Sequence, residues 1–247
     1  MKGKLPMKSK FFWTLTLSFV LTSCAELNLN LDTLMEGSEF NYEKGLSDKR
    51  IAEGLKEALR VGTDNTVSLT GRKDGYFANA SIKIQMPEEL EKVEKLLRKI
   101  KQGHRVDKFV LSMNRAAEAA APEAKKIFID AIMSMTFADV KKIYNGGDTA
   151  ATDYFRDKTS APIRQAFMPI VKDSTNKVGV TRNYKSMVKK TKKFTDVAGV
   201  KTFDPDEYVT DKAIEGLFFV LAEEERKIRK DPAARVTELL KEVFGRG

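Results

Sequence analysis

The chain carries one cysteine, Cys24, and one histidine, His104, among its 247 residues. A Ser-His-Asp or Cys-His triad would need His104 as its base, and no Gly-x-Ser-x-Gly motif accompanies it. A zinc site needs three or four ligands, and one histidine cannot supply the usual multi-histidine set. The sequence therefore predicts no metal, no cofactor and no catalytic residue, with His104 in a connection between two helices.

Seven polar residues in two segments remain as candidates for a polar cleft. Asn114, Arg115 and Glu118 stand among alanines on one predicted helix, with Arg115 and Glu118 at i, i+3 spacing. The second segment follows a Gly-Gly turn and contains Asp148, Thr149, Asp153 and Arg156. Two interpretations are open: the side chains line a cleft, or they form ion pairs and ties that hold helices together.

Carboxylates are the acid and base groups that such a cleft would use. Glu118, Asp148 and Asp153 would supply a hydrolase that works without histidine or cysteine. The run 223–225 contains three glutamates, but adjacent helical residues point in different directions, so we expect a solvated face there. The lysine-rich run 185–193 either contacts anionic lipid headgroups or is also a solvated face.

The N-terminus has the features of an export signal. Four lysines and no acidic residue precede an apolar stretch over residues 11–21, which small residues follow. Eleven residues are too few for a transmembrane helix, which needs about 20. We therefore predict that residues 1–23 are a signal peptide.

The segment Leu21-Thr22-Ser23-Cys24 resembles the bacterial lipobox. The resemblance implies diacylglycerol on the Cys24 sulfur, cleavage before Cys24, and a further acyl chain such as palmitate on the new amine. Two or more acyl chains hold a protein firmly at a bilayer. The next residue, Ala25, is not the aspartate that retains enterobacterial lipoproteins in the inner membrane. We expect a lipid anchor in the cell envelope, at the outer membrane and facing the periplasm.

Charge and length restrict the partners. The chain has 44 Lys and Arg against 35 Asp and Glu; without residues 1–23 there are 40 against 35, a net charge of +5. This modest charge is compatible with an anionic membrane surface or a wall polymer but requires neither. The destination and the lack of an aromatic-basic motif exclude nucleic acid as the expected partner.

The exported part divides into a lipidated tether, residues 24–46, and a helical domain, residues 47–247. Apolar residues at helical spacing predict about eight or nine helices in one bundle-like domain. Residues 71–86 are the least helical part of the domain, and a short extended piece is expected near residues 80–86. The fold class is therefore all-α.

Local signals place several helix ends. We expect Ser47 and Thr136 to begin helices, the latter by a capping box with Asp139, and Gly103 and Gly179 to end helices. Further expectations are a cap by Asp148 or Thr149, a kink or break at Pro162, and a last helix that begins at Asp231. The apolar stripe of that last helix would contain Val236, Leu239, Leu240, Val243 and Phe244.

Several segments of the domain resemble the bacterial lipoprotein family called domain of unknown function 4197. They are SLTGRKDGYFANASIKIQMPEELEKVEKLLRKI, SMNRAAEAAAPEAKKIFIDAIMSMTFADVKKIYNGGDTAATDYFR, VGVTRNY and DPAARVTELLKEVFG. The resemblance covers about residues 46–247, and NGGDTAATDYFR is its most specific piece. It implies a helical domain behind a lipoprotein signal, and no activity, substrate or catalytic residue.

Three functions are compatible with these observations. The preferred one is a non-catalytic binding or structural module, held at the membrane, whose partner is an envelope protein, a lipid or a wall component. The second is a hydrolase based on carboxylates. The third is a carrier of an apolar ligand, suggested by faces rich in methionine and aromatic residues.

Overall fold

Every regular element in the computed structural model, which describes residues 47–191 and 203–245, is helical. The α-helices are α1 Asp48–Gly71, α2 Glu91–Lys99, α3 Gly103–Ala120, α4 Ala124–Ser134, α5 Phe137–Tyr144, α6 Ala150–Val178, α7 Val180–Thr191, α8 Pro205–Lys230 and α9 Glu238–Phe244. Short 3-10 turns lie at Glu88–Leu90, Ala121–Glu123 and Pro232–Ala234. The predicted all-α class is confirmed. The predicted signal peptide, the tether and Cys24 lie outside the described residues.

Long helices α1, α3, α6 and α8 enclose the core. Helix α6 packs against α8 and α3, and α1 packs against α8 and α9. Phe128, Phe155 and Phe218 meet at the centre, with ring centroids 5.4 Å apart for the first pair and 5.8 Å for Phe128 and Phe218. The small residues predicted for α3 allow this close packing, because Ala116, Ala117 and Ala120 are all fully buried.

Several helix ends lie where local capping signals place them. The Ser47 hydroxyl accepts a hydrogen bond from the Arg50 amide at 3.2 Å. Thr136 and Asp139 form the predicted capping box, and Gly179 ends α6 in the left-handed region with φ 79°. Each of these signals acts within one turn of its helix, so the sequence alone suffices to find it.

The end of α2 differs from the expectation. Lys101, with φ 57°, makes the left-handed turn, while Gly103 begins α3. The Gln102 amide donates to the Leu97 carbonyl at 2.7 Å, which satisfies a free carbonyl of the last turn of α2. His104 accordingly lies in the first turn of α3 rather than in a connection, and it is exposed.

Helix α6 runs without a break through Pro162 and Pro169, so of the two alternatives expected at Pro162, a kink or a break, the break is wrong. Proline removes one backbone hydrogen bond, but the neighbouring turns are held from outside. Ile163 and Phe167 are fully buried beside Pro162. Tertiary packing therefore maintains a helix that local propensity would interrupt.

The last helix starts later than expected. Asp231 caps a single 3-10 turn, and Thr237 then caps α9, with its hydroxyl accepting from the Leu240 amide at 3.2 Å. Between them, buried Arg235 donates to the carbonyls of Ile228 at 3.1 Å and of residue 229 at 2.9 Å, which caps the C-terminus of α8. Val236 is consequently 67% exposed and is not part of the buried stripe.

Candidate functional site

The non-helical segment 72–87, called the strap below, leaves α1 by a tight turn. Asp74 has φ 65°, and Gly75 follows. A Cβ atom on Gly75 would lie 2.3 Å from the Leu69 carbonyl oxygen, so only glycine fits there. The turn returns the strap across α3 and α8.

Glu118 holds the first part of the strap. Its Oε1 accepts hydrogen bonds from the Tyr76 and Phe77 amides, each at 3.2 Å. Its Oε2 accepts from Arg115 Nη1 at 2.6 Å, and Arg115 Nη2 lies 2.7 Å from Asp74 Oδ1. The predicted i, i+3 pair therefore exists, and it continues into a tie between α3 and the strap. Glu118 is only 4% exposed, and its buried charge is met by three donors.

Asn114 holds the second part of the strap. Its Oδ1 accepts from the Ile84 amide at 2.9 Å, while its Nδ2 donates to the Ile84 carbonyl at 2.9 Å and to the Val110 carbonyl at 2.8 Å. This side chain takes the place of a neighbouring β-strand for residue 84. A short extended piece was expected near residues 80–86; residues 80–82 form turns, and residues 83–87 belong to neither a helix nor a strand.

On its other side the strap packs against α8. The Tyr76 hydroxyl donates to the Ala213 carbonyl at 2.6 Å, and complete burial raises the pKa of Tyr76 far above its usual value. A Cβ atom on Gly216 would lie 2.6 Å from the Tyr76 ring and 3.1 Å from Ile82. Glycine in α8 thus lets the strap approach closely.

A surface groove of about 610 Å³ lies between the strap and α8. Its walls combine apolar and polar groups; they include Ile82, Gln85, Met86, Glu88, Glu89, Tyr208, Glu215 and Phe219. The Tyr208 hydroxyl donates to the Gln85 carbonyl at 3.2 Å. Burial, with the nearby carboxylates of Glu89, Glu215 and Glu88, raises the pKa of Tyr208 to about 12. Tyr208 is therefore a neutral hydrogen-bonding group at physiological pH.

The second predicted polar segment makes separate contacts. Asp148 forms an ion pair with Lys230, and this hydrogen bond lowers the pKa of Asp148. The Thr149 hydroxyl donates to Asp153 Oδ2 at 3.4 Å. The Arg156 guanidinium carbon lies 5.0 Å from the centre of the Phe218 ring. These four side chains thus have partners around the start of α6 and on α8.

Within the described ranges, no hydrogen bond or ion pair joins the Asn114, Arg115 and Glu118 group to the second segment. Each group instead holds its own piece of backbone or its own helix. The grooves at the strap, beside α4 and α6, and in the core are not lined by Glu118, Asp148 or Asp153.

Glu225 caps α6, a role expected for Asp148 or Thr149. Thr149 is the N-cap residue but makes no capping bond. Glu225 on α8 instead accepts from the Ala151 amide at 3.0 Å and from the Thr152 amide and hydroxyl, each at 2.8 Å. Arg229 Nε donates to the same carboxylate at 3.0 Å. A buried carboxylate thus satisfies the free amides of the first turn of α6.

The expectation of a solvated face over residues 223–225 is correspondingly wrong for two of the three glutamates. Glu224 and Glu225 are 5% and 8% exposed. Glu224 accepts from Asn65 Nδ2 at 2.9 Å and from Lys227 Nζ at 2.6 Å. Helical spacing would have predicted the burial of these two glutamates, since both lie three or four residues from buried Leu221 and Ile228.

A cavity in the core is too small for an apolar ligand. It lies between α1, α6, α8 and α9, and its volume is about 20 Å³. A water molecule needs about 10–15 Å³ on this measure, so the cavity has room for one water molecule. Over residues 47–191 and 203–245, no three His, Cys, Asp or Glu side chains are grouped so that they could hold a metal ion.

None of the described helices combines the length and the apolar composition needed to cross a bilayer. Comparison with known proteins gives no match among curated proteins and none among solved structures. Residues 45–245 match the family described as "Protein of unknown function (DUF4197)". This match covers the strap, all nine described α-helices and both groups of polar candidates, so the chain belongs to the DUF4197 family.

Proposed function

We propose that the protein is a non-catalytic lipoprotein of the cell envelope, a helical binding or structural module that lipid on Cys24 holds at the membrane. The basic start, the apolar run over residues 11–21 and the lipobox-like Leu21–Cys24 support the anchor. Ala25 supports the outer membrane, with the domain in the periplasm. The partner would be an envelope protein, a lipid or a wall component.

The hydrogen bonds that Asn114 and Glu118 already make are the observation that carries the non-catalytic part of the proposal. A general acid or base must reach a substrate proton. Both oxygens of Glu118 already accept bonds from the strap amides and Arg115, and Asn114 is occupied by the Ile84 backbone. The polar atoms that drew attention in the sequence thus position backbone, and the strap that they position forms one wall of the groove.

The anchor is tested by replacing its sulfur. Cys24 is the only cysteine, so a thioether-linked lipid has no other place in this chain. Cells that express the wild type or Cys24→Ser are fed an alkyne-tagged fatty acid, and the purified proteins are examined by fluorescence and mass spectrometry. We expect label and an acylated residue 24 in the wild type alone. Label that survives Cys24→Ser, or a wild-type protein whose residue 24 carries no acyl chain, would overturn the anchor.

The non-catalytic role is tested separately on purified protein. We expect no turnover of peptidoglycan fragments or of phospholipid in the absence of a partner. Turnover that Glu118→Gln abolishes, in a variant whose circular dichroism is unchanged, would overturn the proposal in favour of a carboxylate hydrolase. Glu238→Gln is the matched control, because Glu238 is 90% exposed on α9 and is not one of the three candidate carboxylates.

The groove is the place where we expect the partner. A photo-crosslinking amino acid at Phe219, a groove residue that is 43% exposed, should give one adduct of defined mass in cells. The same amino acid at Met133, which is 76% exposed on α4, is the control. Equal adducts from the two positions, or none from Phe219, would contradict a partner in the groove.

A further inference from the structure

Positive charge is concentrated at one end of the bundle. Residues 91–110 contain seven Lys and Arg against three Asp and Glu, and residues 180–191 contain four against none. Each segment therefore carries a net charge of +4. The other described residues contain 24 Lys and Arg against 26 Asp and Glu, a net charge of −2. The whole excess among the described residues thus lies in α2, the turn after it, the first half of α3, and α7, called the basic end below.

These three elements form one packed unit. Helix α7 packs on both α2 and α3, and α2 packs on α3. Arg105 Nη1 on α3 donates to the Ser186 hydroxyl on α7 at 2.5 Å, and the Phe109 and Tyr184 rings lie 6.1 Å apart. Contacts of this kind fix the position of α7, so that its cations are held in place relative to those of α2 and α3.

Most cations of the basic end have no carboxylate partner in the part of the chain that the structure describes. Lys95 pairs with Glu91, and Arg98 pairs with Glu94 and Asp107. Seven exposed cations have no carboxylate within 4 Å among the described residues: Lys92, Lys99, Lys101, Lys108, Arg182, Lys185 and Lys189. Like charges held close together destabilise a fold by repulsion, and an external anionic surface relieves that cost.

We infer that the basic end docks on an anionic phospholipid surface and so orients the domain at the membrane. This inference rests on the proposed lipid anchor, which brings the surface near. The anchor does not orient the domain by itself: the 23 residues from 24 to 46 reach about 75 Å when extended, whereas a domain of this size is about 40 Å across. Only a surface feature of the domain can then select which side meets the lipid.

The spacing of the cations on α7 favours binding to a flat anionic surface over binding of one small ligand in a pocket. Arg182, Lys185 and Lys189 follow i, i+3, i+7 spacing, which places them along one exposed side of α7. A row of separate cations suits many headgroups in a plane, each contributing about fivefold to the binding constant. Binding of this kind weakens as salt rises, because the charges are exposed.

The test uses the chain from residue 24 onward with Cys24→Ser, which retains the unit Tyr42–Gly247 and carries no lipid. Flotation with phosphatidylglycerol-containing vesicles should recover the protein at low salt, and vesicles of phosphatidylcholine alone should not. Replacing Arg182, Lys185 and Lys189 together by Gln should weaken binding about 100-fold. Because no acyl chain is present, the result is independent of whether the proposed anchor exists.

A matched control removes the same charge elsewhere. Lys125, Lys126 and Lys142 are exposed on α4 and α5, which pack on α1 and α6 rather than on α2 or α7. Their joint replacement by Gln should change vesicle binding by no more than about threefold, through net charge alone. Equal losses in the two triple variants, equal binding to both kinds of vesicle, or binding that ignores salt would each overturn the inference.

Discussion

Glu225 gives the sharpest prediction about what stabilises this fold, because one buried carboxylate connects two long helices. It accepts from the Ala151 and Thr152 amides at the start of α6 and from Arg229 on its own helix. Glu225→Ala removes the acceptor of these three groups and of the Thr152 hydroxyl at once. The Arg229 guanidinium, 14% exposed, then keeps one bond, to the Ile143 carbonyl at 3.0 Å.

The magnitude follows from the groups left unpaired. Removing one partner of a buried ion pair costs about 3–5 kcal/mol, and losing a helix cap costs about 1 kcal/mol. The two terms overlap, and the remaining bond and partial exposure of Arg229 reduce the first. We therefore expect Glu225→Ala to lower the free energy of unfolding by about 3–4 kcal/mol. For a domain of this size that lowers Tm by about 6–16 °C.

The assay is urea unfolding followed by circular dichroism, with Glu223→Ala as the control. Glu223 lies two residues earlier on α8, is 45% exposed and pairs with Arg226. Its loss should change stability by about 0.5 kcal/mol or less. The loss of stability in Glu225→Gln should lie between the losses in the two alanine variants. Glutamine keeps one acceptor oxygen, but its NH₂ group would face the other donors. If Glu225→Ala and Glu223→Ala cost the same, the reasoning that Glu225 holds α6 to α8 is refuted.

Other predictions address the strap, the groove and a helix cap. Asn114→Ala should speed amide hydrogen exchange over residues 83–87 and leave α6 unchanged; unaltered exchange would contradict the tie. Tyr208 has a pKa of about 12 in the fold against about 10 when unfolded, so its contribution to stability is complete below pH 10 and disappears as the pH rises through 12. An absorbance titration of Tyr208→Phe should show one fewer tyrosine that ionises at high pH than the wild type shows. Thr136→Ala should cost about 1 kcal/mol in urea unfolding, because it breaks the capping box.

Helix boundaries were predictable from sequence wherever their cause is local. Ser47, the Thr136 and Asp139 box, and Gly179 each act within a few residues, and each lies where the sequence placed it. Boundaries with a distant cause were missed. The start of α9 depends on Arg235 turning back onto the carbonyls at the end of α8, and α6 passes Pro162 because its neighbours hold it.

The same distinction separates the parts of the candidate site that were found from those that were missed. The pair Arg115 and Glu118 was visible as an i, i+3 pattern, but its third member, Asp74, lies 41 residues from Arg115. The capping role of Glu225 joins positions 73 and 74 residues apart. No local rule connects such positions, since only the folded topology decides which polar groups meet.

This difference also bears on where function should be sought. A polar group surrounded by alanines attracts attention in sequence because burying it is costly, yet Asn114 and Glu118 recover that cost through bonds to the strap. Groups whose cost is not recovered inside the molecule are more informative. Among the described residues, the cations of the basic end form one such group, because the two segments together carry a net charge of +8, and an anionic surface outside the protein would offset it. The strongest clue to this protein's interactions is therefore charge that its own fold leaves unpaired.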